Sequence, residues 1–288
     1  VTAKVIWDIQ EKYDYPRTVI VATGKNMPQR IIDVASIIKG WQLGASIQST
    51  DPNVLSASKR QNITSSAYKK LIDFGNKKNS TKTYTDLMVA LPGDTKKKHF
   101  ESLRWAIDSN VRSIRMHQSI MLVGTDMASK VTRKKYDLKT KFRTVPGAVG
   151  NYEILGKKYP VAEIEEIIIG SNTLSQKDYI DCRVMDLFIQ TFYNNYLFEE
   201  VFALLKSLAV STFDCMLYIK NHPELYSSNV MEIIKDFISA TIDDLYNSLE
   251  EAQESVLTPE IMVKYIEGKL GYNELLENTV RLFNKFDD

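Results

Sequence analysis

The sequence predicts an α/β fold in which parallel strands alternate with outer helices, followed by a mostly helical region. Four strand-like apolar runs carry this prediction, at residues 18–23, 44–49, 83–91 and within 111–122. Helical patterns separate the runs, and strand and helix recur about every 30 residues, as is typical of right-handed βαβ units. The front of the chain is therefore expected to be part of a parallel barrel or an open doubly wound sheet.

The first two strands each end in turn-forming residues. The run 18–23 is β-branched and is followed by Gly24, after which residues 29–38 carry apolar side chains at helical spacing. The run 44–49 ends in Gln48 and Ser49, and Asp51-Pro52 then opens the next helical stretch. The first run is β-branched and the second is strand-like, and each is followed by a helical pattern.

The third strand gives the clearest local signal. Residues 83–91 form an apolar run of the kind that parallel sheets bury on both faces, and Pro92-Gly93 ends it. Asp94 or Thr95 is placed to cap a helix over 96–108. A loop at the carboxyl end of a parallel strand is where α/β enzymes bind their ligands. The alternative is a plain strand–turn–helix without a site.

The chain changes character after Tyr136. Residues 136–158 are rich in Lys, Arg, Gly and Thr and are expected to be irregular, while 161–169 has the pattern of a strand or a short helix. Helical patterns then continue to the end. We therefore divide the chain into an α/β part at 1–140, an irregular connection at 141–170 and a helical region at 171–288.

Composition narrows the functional classes. The 288 residues include 37 Lys and Arg and 36 Asp and Glu, a balance that gives no general electrostatic footprint for nucleic acid or for an anionic membrane. No apolar run approaches the roughly 20 residues that a spanning helix needs. Two cysteines, Cys182 and Cys215, read as ordinary thiols of a reducing cytoplasm. Because Val1 is not a start residue, we expect the chain to be a fragment.

Several motifs occur in an order that resembles one enzyme family. They are Gly24-Lys25-Asn26, Gln48-Ser49-Thr50-Asp51-Pro52-Asn53-Val54-Leu55, Lys59-Arg60-Gln61-Asn62-Ile63, Leu91-Pro92-Gly93-Asp94-Thr95, Met121-Leu122-Val123-Gly124-Thr125-Asp126-Met127 and Glu165-Glu166-Ile167-Ile168. Over roughly residues 1–185 this set is similar to the radical S-adenosylmethionine enzymes, most closely the subgroup with an upstream cobalamin-binding domain. The resemblance implies about four strands of a six-stranded (β/α) barrel at 1–140.

The resemblance also implies cofactors and partners. Family members use a [4Fe-4S] cluster and S-adenosylmethionine, and those of this subgroup also cobalamin, to generate a 5′-deoxyadenosyl radical or transfer a methyl group to a small-molecule substrate. An electron donor such as flavodoxin or ferredoxin is implied as well. The residues expected at the barrel rim, facing cofactor or substrate, are Lys25, Asn26, Gln48, Ser49, Arg60, Gly93, Asp94 and Gln118. Simpler roles remain open, since Asn26 suits a turn, Ser49 a helix cap and Arg60 an exposed surface.

The departures from the family pattern are equally informative. The CxxxCxxC segment, whose three thiolates hold the cluster, does not occur in this sequence, and the usual Glu of the Pro-Gly turn is Asp94. No metal ligands are therefore expected in this chain, and the cluster ligands are expected upstream of it. Two functional classes follow: part of a radical enzyme, or a non-catalytic half-barrel remnant that serves as a protein-interaction module.

Overall fold

A computed structural model describes residues 1–21, 24, 27–77, 83–194, 196–243 and 245–285. The chain forms two compact units, each built from three stretches of sequence. The first unit comprises Val1–Met88, Lys97–His117 and Phe192–Cys215. The second comprises Val89–Lys96, Gln118–Thr191 and Met216–Asp288.

The first unit contains a small parallel sheet with helices around it. Its strands follow the order β1, β2, β3 across the sheet. The elements in chain order are α1 (Thr2–Tyr13), α2 (Pro28–Ile37), β1 (Leu43–Gly44), α3 (Pro52–Ala57), α4 (Ser65–Lys77), β2 (Thr83–Val89), α5 (Lys96–Asp108), β3 (Ser113–Gln118), α8 (Glu199–Ser207) and the start of α9 (Thr212–Asn221). The core is apolar, with Leu43, Leu71, Leu87, Leu103 and Ile114 fully buried.

The pairing of the first strand with β2 contains a one-residue offset. Leu43 and Gly44 pair with Thr83 and Tyr84, whereas the next parallel bridge joins Gln48 to Leu87. The first strand thus takes four steps where β2 takes three, and the extra residue interrupts the ladder. The hydroxyl of Thr85 bridges the interruption by donating to the Ala45 carbonyl oxygen over 2.9 Å. The buried backbone therefore stays hydrogen-bonded where the ladder breaks.

The α/β prediction is confirmed, with differences in strand length. The helix expected over 96–108 has those bounds, and the strand expected at 83–91 is observed as β2. In the described part of 18–23, pairing is limited to a parallel bridge between Val19 and Trp41, so the sheet has three strands where four were expected. The strand expected at 44–49 contributes only β1 and the bridge at Gln48.

The second unit combines a long antiparallel ribbon with helices. Its elements are α6 (Lys130–Tyr136), β4 (Lys139–Ile154), β5 (Lys157–Gly170), α7 (Gln176–Phe188), a π-helical turn (Ile189–Tyr193), the end of α9, a 3₁₀ turn (Pro223–Leu225), α10 (Ser228–Ile242), α11 (Leu249–Val256), α12 (Pro259–Ile266) and α13 (Glu274–Phe283). No single helix in the described ranges is long and apolar enough to cross a bilayer, although the bent pair α8 and α9 meets that test together.

The expectation that residues 136–158 are irregular was wrong. These residues form α6 and β4, and the expected strand alternative at 161–169 is confirmed as part of β5. A two-residue turn joins the strands, with φ of 52° at Leu155 and 74° at Gly156. A two-residue turn with both φ values positive suits the twist of a β-hairpin. Because Leu is unusual at the first position of such a turn, the sequence pattern did not predict this hairpin. The predicted division near 140–170 stays a prediction.

A buried charge network holds the base of the ribbon. The guanidinium of Arg183 lies 3.0 Å from Asp186 and 2.9 Å from Glu274. Arg143 on β4 lies 2.7 Å from Glu165 on β5 and 3.5 Å from Glu274. Burial alone would lower the pKa of Arg183, but the charges of Glu274 and Asp186 outweigh it and raise the pKa. The network joins β4, β5, α7 and α13 through paired charges.

We predict that Gly44→Ala destabilises the first unit. A Cβ at residue 44 would lie 2.1 Å from the carbonyl oxygen of Tyr84, and backbone cannot give way as a flexible side chain does. The expected loss is about 1–3 kcal/mol of unfolding free energy, measured by urea denaturation. Gly24→Ala is the matched control, because a Cβ there meets nothing within 4 Å. Equal stability of G44A and the wild type would contradict the pairing.

Candidate functional site

Polar groups gather where the first strand of the sheet ends, in the first unit. Gln48 donates its backbone N–H to the Asp86 carbonyl over 2.9 Å, and its own carbonyl accepts from the Met88 N–H over 2.9 Å. Gln48 has a φ of 56°, a left-handed conformation that is uncommon outside glycine. Gln48 and Ser49 are both buried. We call Gln48, Ser49 and Asp86 the Gln48 edge.

Asn62 clips a neighbouring loop to this edge. Its side-chain amide donates to the carbonyl oxygens of Ile47 and Ser49, each over 2.8 Å. The clip fixes the segment that follows α3, which also carries the exposed Arg60. Asn62 is thus a structural residue, and it holds the Arg60 segment beside the Gln48 edge.

Ser49 has a local structural role in addition to its place at the edge. Its hydroxyl accepts from the Asp51 N–H over 3.2 Å. The Asp51 carboxylate in turn caps α3 by accepting from the N–H groups of Asn53 and Val54, each over 2.9 Å. These contacts match the capping alternative for this segment. A contact of Ser49 with cofactor or substrate stays a prediction.

Asp86 is the centre of a charged cluster across the three strands. The Ser46 hydroxyl donates to the Asp86 carboxylate, and His117 Nε2 lies 3.5 Å from Asp86 Oδ1. Partial burial alone would raise the pKa of Asp86, but its contacts with His117 and Ser46 and the charge of Arg115 outweigh burial and lower the pKa. Asp86 is therefore ionised at neutral pH, with cationic or polar groups on either side.

Arg115 on β3 is held by one residue of β2 and by one residue next to β1. Its Cζ atom lies 4.1 Å from the centroid of the Tyr84 ring, a cation–π geometry. Its guanidinium donates to Gln42 over 3.1 Å. Strand alternation puts Tyr84 and Asp86 on one face of β2, and Arg115 and His117 on one face of β3. This face of the sheet carries charged and polar side chains, while β2 is buried or half-buried along its whole length.

The Pro-Gly turn after β2 lies in the second unit and has the predicted form. The Asp94 N–H donates to the Leu91 carbonyl over 2.9 Å, and Gly93 has a φ of 77°. Proline at the second position and glycine at the third are what a type II turn requires. Asp94 is buried; its carboxylate accepts from the Thr95 N–H over 2.8 Å, and its carbonyl accepts from the Thr173 hydroxyl over 2.6 Å.

Gln118 belongs to the second unit and is oriented by a hydrogen bond to a residue of the same unit. Its amide donates to the hydroxyl of the buried Tyr179 over 2.7 Å. Burial raises the pKa of Tyr179, so this phenol stays protonated at neutral pH. Gln118 is thereby oriented by a neutral, buried partner.

The predicted site residues therefore fall into separate groups. Gln48, Ser49 and Arg60 belong to the first unit, and Gly93, Asp94 and Gln118 to the second. Lys25 and Asn26 lie outside the described residues. Their roles towards a cofactor or substrate stay predictions. Sequence reasoning missed Asp86; the available signal was an acidic residue inside an otherwise apolar strand.

The described residues offer no cluster ligands. Within them, no group of three or more His, Cys, Asp or Glu side chains is placed to hold a metal ion. Cys182 is fully buried, and burial raises the pKa of its thiol, so it is not a ready thiolate ligand. Cys215 is half-buried. That the thiolates for an iron–sulfur cluster are not in this chain stays a prediction.

Comparison with known proteins identifies two relatives. No family model matches the chain. The chain is 26% identical over 187 residues to 2-(S-pantetheinyl)-carbapenam-3-carboxylate methyltransferase of Streptantibioticus cattleyicolor, a match that covers 62% of this chain. It is 28% identical over 173 residues, 58% of this chain, to the cobalamin-dependent radical SAM methyltransferase TokK of Streptomyces tokunonensis. The matches span about a quarter of the relatives' own lengths, 26% and 24%.

We predict a pH-dependent stabilisation by Asp86. The pKa of Asp86 is lowered in the folded state. Its contribution to the free energy of unfolding is therefore present above the ordinary carboxyl pKa of 3.8 and is lost as the pH falls through the lower pKa of the folded state. Asp86→Asn should therefore cost about 1–2 kcal/mol of unfolding free energy at pH 7 and less at acidic pH. Denaturation of both proteins across pH tests this. Asp73→Asn, at an exposed pair with Lys69, is the control. A pH-independent difference would contradict the prediction.

Proposed function

We propose that this chain is part of a cobalamin-dependent radical S-adenosylmethionine enzyme that transfers a methyl group to a small-molecule substrate. The two relatives support this proposal, since both are named methyltransferases and one is named a cobalamin-dependent radical SAM enzyme. We further propose that the three-stranded parallel sheet belongs to a six-stranded barrel of this family.

The observation that carries the proposal is the similarity to these two methyltransferases, and we propose that the Gln48 edge is where this chain meets the cofactor. S-adenosylmethionine presents ribose hydroxyls and an α-carboxylate. An ionised Asp86 accepts hydrogen bonds from hydroxyls, and an amide such as Gln48 both donates and accepts. Because the guanidinium of Arg115 offsets the charge of Asp86, the edge suits neutral hydroxyls better than a cation. Arg60, held nearby by the Asn62 clip, is the proposed partner of the carboxylate.

The cluster is a different case, because the residues of this chain do not fit it. Three clustered thiolates are required, and the sequence contains two cysteines, of which Cys182 is fully buried. We derive no catalytic step from the cluster here. We propose instead that cluster and cobalamin are held by protein sequence outside this chain, in keeping with relatives about four times longer than the matched regions.

Further assignments extend the same proposal. Lys25, Asn26, Ser49, Gly93, Asp94 and Gln118 are proposed to contact cofactor or substrate, on the strength of the family motifs that contain them. An electron donor such as flavodoxin or ferredoxin and a cytoplasmic location are also proposed, because low-potential clusters need a reductant and a reducing compartment.

A second candidate is a non-catalytic module for protein interaction. The missing thiolate triplet favours it, since a chain that lost its cluster would keep the sheet and lose the chemistry. The two candidates differ in whether the Gln48 edge binds the cofactor and whether methyl transfer occurs.

We predict that this chain alone acquires no stoichiometric cluster and binds S-adenosylmethionine only weakly. A few hydrogen bonds, worth about 0.5–1.5 kcal/mol each, oppose an association cost of at least roughly 4 kcal/mol. Iron and sulfide analysis after anaerobic reconstitution, together with calorimetry, measures both quantities. A stoichiometric cluster on the chain alone would contradict the assignment of its ligands.

The enzyme proposal itself is tested on the longest natural polypeptide that contains this sequence. After anaerobic reconstitution with cobalamin, we expect cleavage of S-adenosylmethionine and methylated product. Asp86→Ala should weaken cofactor binding about tenfold, whereas Asp73→Ala should leave it unchanged. A polypeptide that binds neither cluster nor cofactor would support the interaction module instead.

A further inference from the structure

The ribbon of the second unit extends well beyond its anchored base. At the base, Arg143 pairs with Glu165, and Phe142 bridges to Tyr246. Further out, the strands pair continuously from Val149–Ala162 to Ile154–Lys157. We call residues 149–162 the ribbon tip; its side chains are exposed or half-buried. An isolated two-stranded ribbon is marginally stable in water, so the tip is a surface in need of a partner.

The two faces of the ribbon tip differ in chemistry. Residues directly opposite each other share a face, and alternate residues along a strand do as well. One face therefore carries the pairs Tyr152–Tyr159, Gly150–Val161 and Ile154–Lys157. The other carries Val149–Ala162, Asn151–Pro160 and Glu153–Lys158. The first face holds both tyrosine rings and is the more apolar at the outer end, where the second holds the Glu153–Lys158 charge pair.

The first face lies in solvent. Tyr152 is 60% exposed, Ile154 58% and Leu155 at the turn is fully exposed. Tyr159 and Val161 are exposed as well. Contiguous aromatic and aliphatic side chains on one face of a strand pair mark an interaction surface rather than a scattered set of surface residues.

The charges of this face make it complementary to itself. Lys157 lies at its outer end, with its ammonium 5.4 Å from the centroid of the Tyr159 ring, and the exposed Glu163 follows on the same face of β5 towards the base. A two-fold axis running across the strands at the Asn151–Pro160 pair brings Lys157 of one copy onto Glu163 of the other. It also places Tyr159 on Val161, and Tyr152 over Gly150, where no Cβ intervenes.

We propose that the ribbon tip is a self-association surface, on which a second copy of this chain packs face to face and antiparallel. Two Lys157–Glu163 ion pairs form, related by the two-fold axis. They favour a second copy over other partners, because the same surface supplies both the cation and the anion of each pair. The face is much smaller than the 20–30 residues a side of a typical stable interface, so the dimer has a dissociation constant of about 10⁻⁵–10⁻⁴ M.

Sedimentation equilibrium of this chain from about 10 μM to about 1 mM tests the proposal. Wild type should follow a monomer–dimer equilibrium. Lys157→Glu and Glu163→Lys should each weaken it about tenfold, because like charges then meet twice. An equimolar mixture of the two variants should dimerise as well as the wild type, since every pair is then opposite in charge. The doubly exchanged chain, K157E with E163K, should also dimerise.

Two further variants complete the design. The double substitution Tyr152→Ser and Tyr159→Ser should weaken association at least about tenfold, while Glu153→Lys on the second face is the matched control and should leave it unchanged. Circular dichroism melts establish that each variant is folded. A wild type that is monomeric throughout the range, or folded charge variants whose mixture stays monomeric, would overturn the proposal and leave the face to a different partner.

Discussion

Between residues 44 and 48, the first strand of the sheet takes one residue more than β2 takes beside it. The geometry of the Gln48 edge depends on this offset. The extra residue interrupts the ladder, so the Ala45 carbonyl accepts its hydrogen bond from the Thr85 hydroxyl instead of from backbone. Gln48 then pairs with β2 again, with its own backbone in a left-handed conformation. Close backbone approach at Gly44 leaves no room for a side chain there. A regular ladder would have produced an ordinary strand end without this arrangement.

The polar face of the sheet beside the offset has its side chains ordered in the way that a ligand site requires. Asp86 is ionised, is bonded by Ser46, and is flanked by His117 and Arg115, while Arg115 is itself fixed by Tyr84 and Gln42. Such a group is oriented before any ligand arrives, which reduces the entropy cost of binding. The same features stabilise a sheet without a ligand. The similarity to methyltransferases is therefore what turns a well-ordered polar edge into a proposed cofactor site.

The sequence was most informative where one residue type meets one backbone requirement. Pro92-Gly93 specifies its turn, and the helix over 96–108 follows with the predicted bounds. It was least informative where geometry depends on distant pairing. Asn62 was visible as a motif residue, but its bonds to Ile47 and Ser49 follow from the path of another segment. Asp86 was hidden inside an apolar run, and the ribbon was missed because Leu155 occupies a turn position that usually takes Asn, Asp or Gly.

The most direct test of the account is an amide NMR titration of this chain with S-adenosylhomocysteine, which carries the ribose and the carboxylate of the cofactor. Weak binding is sufficient at millimolar ligand. If the Gln48 edge binds the cofactor, the amides of Gln48 and Met88, which bracket this edge, shift together with those of Asp86 and Arg60, and adenine alone causes smaller changes. Shifts confined to other parts of the chain, or equal shifts with adenine, would contradict a cofactor site at the Gln48 edge.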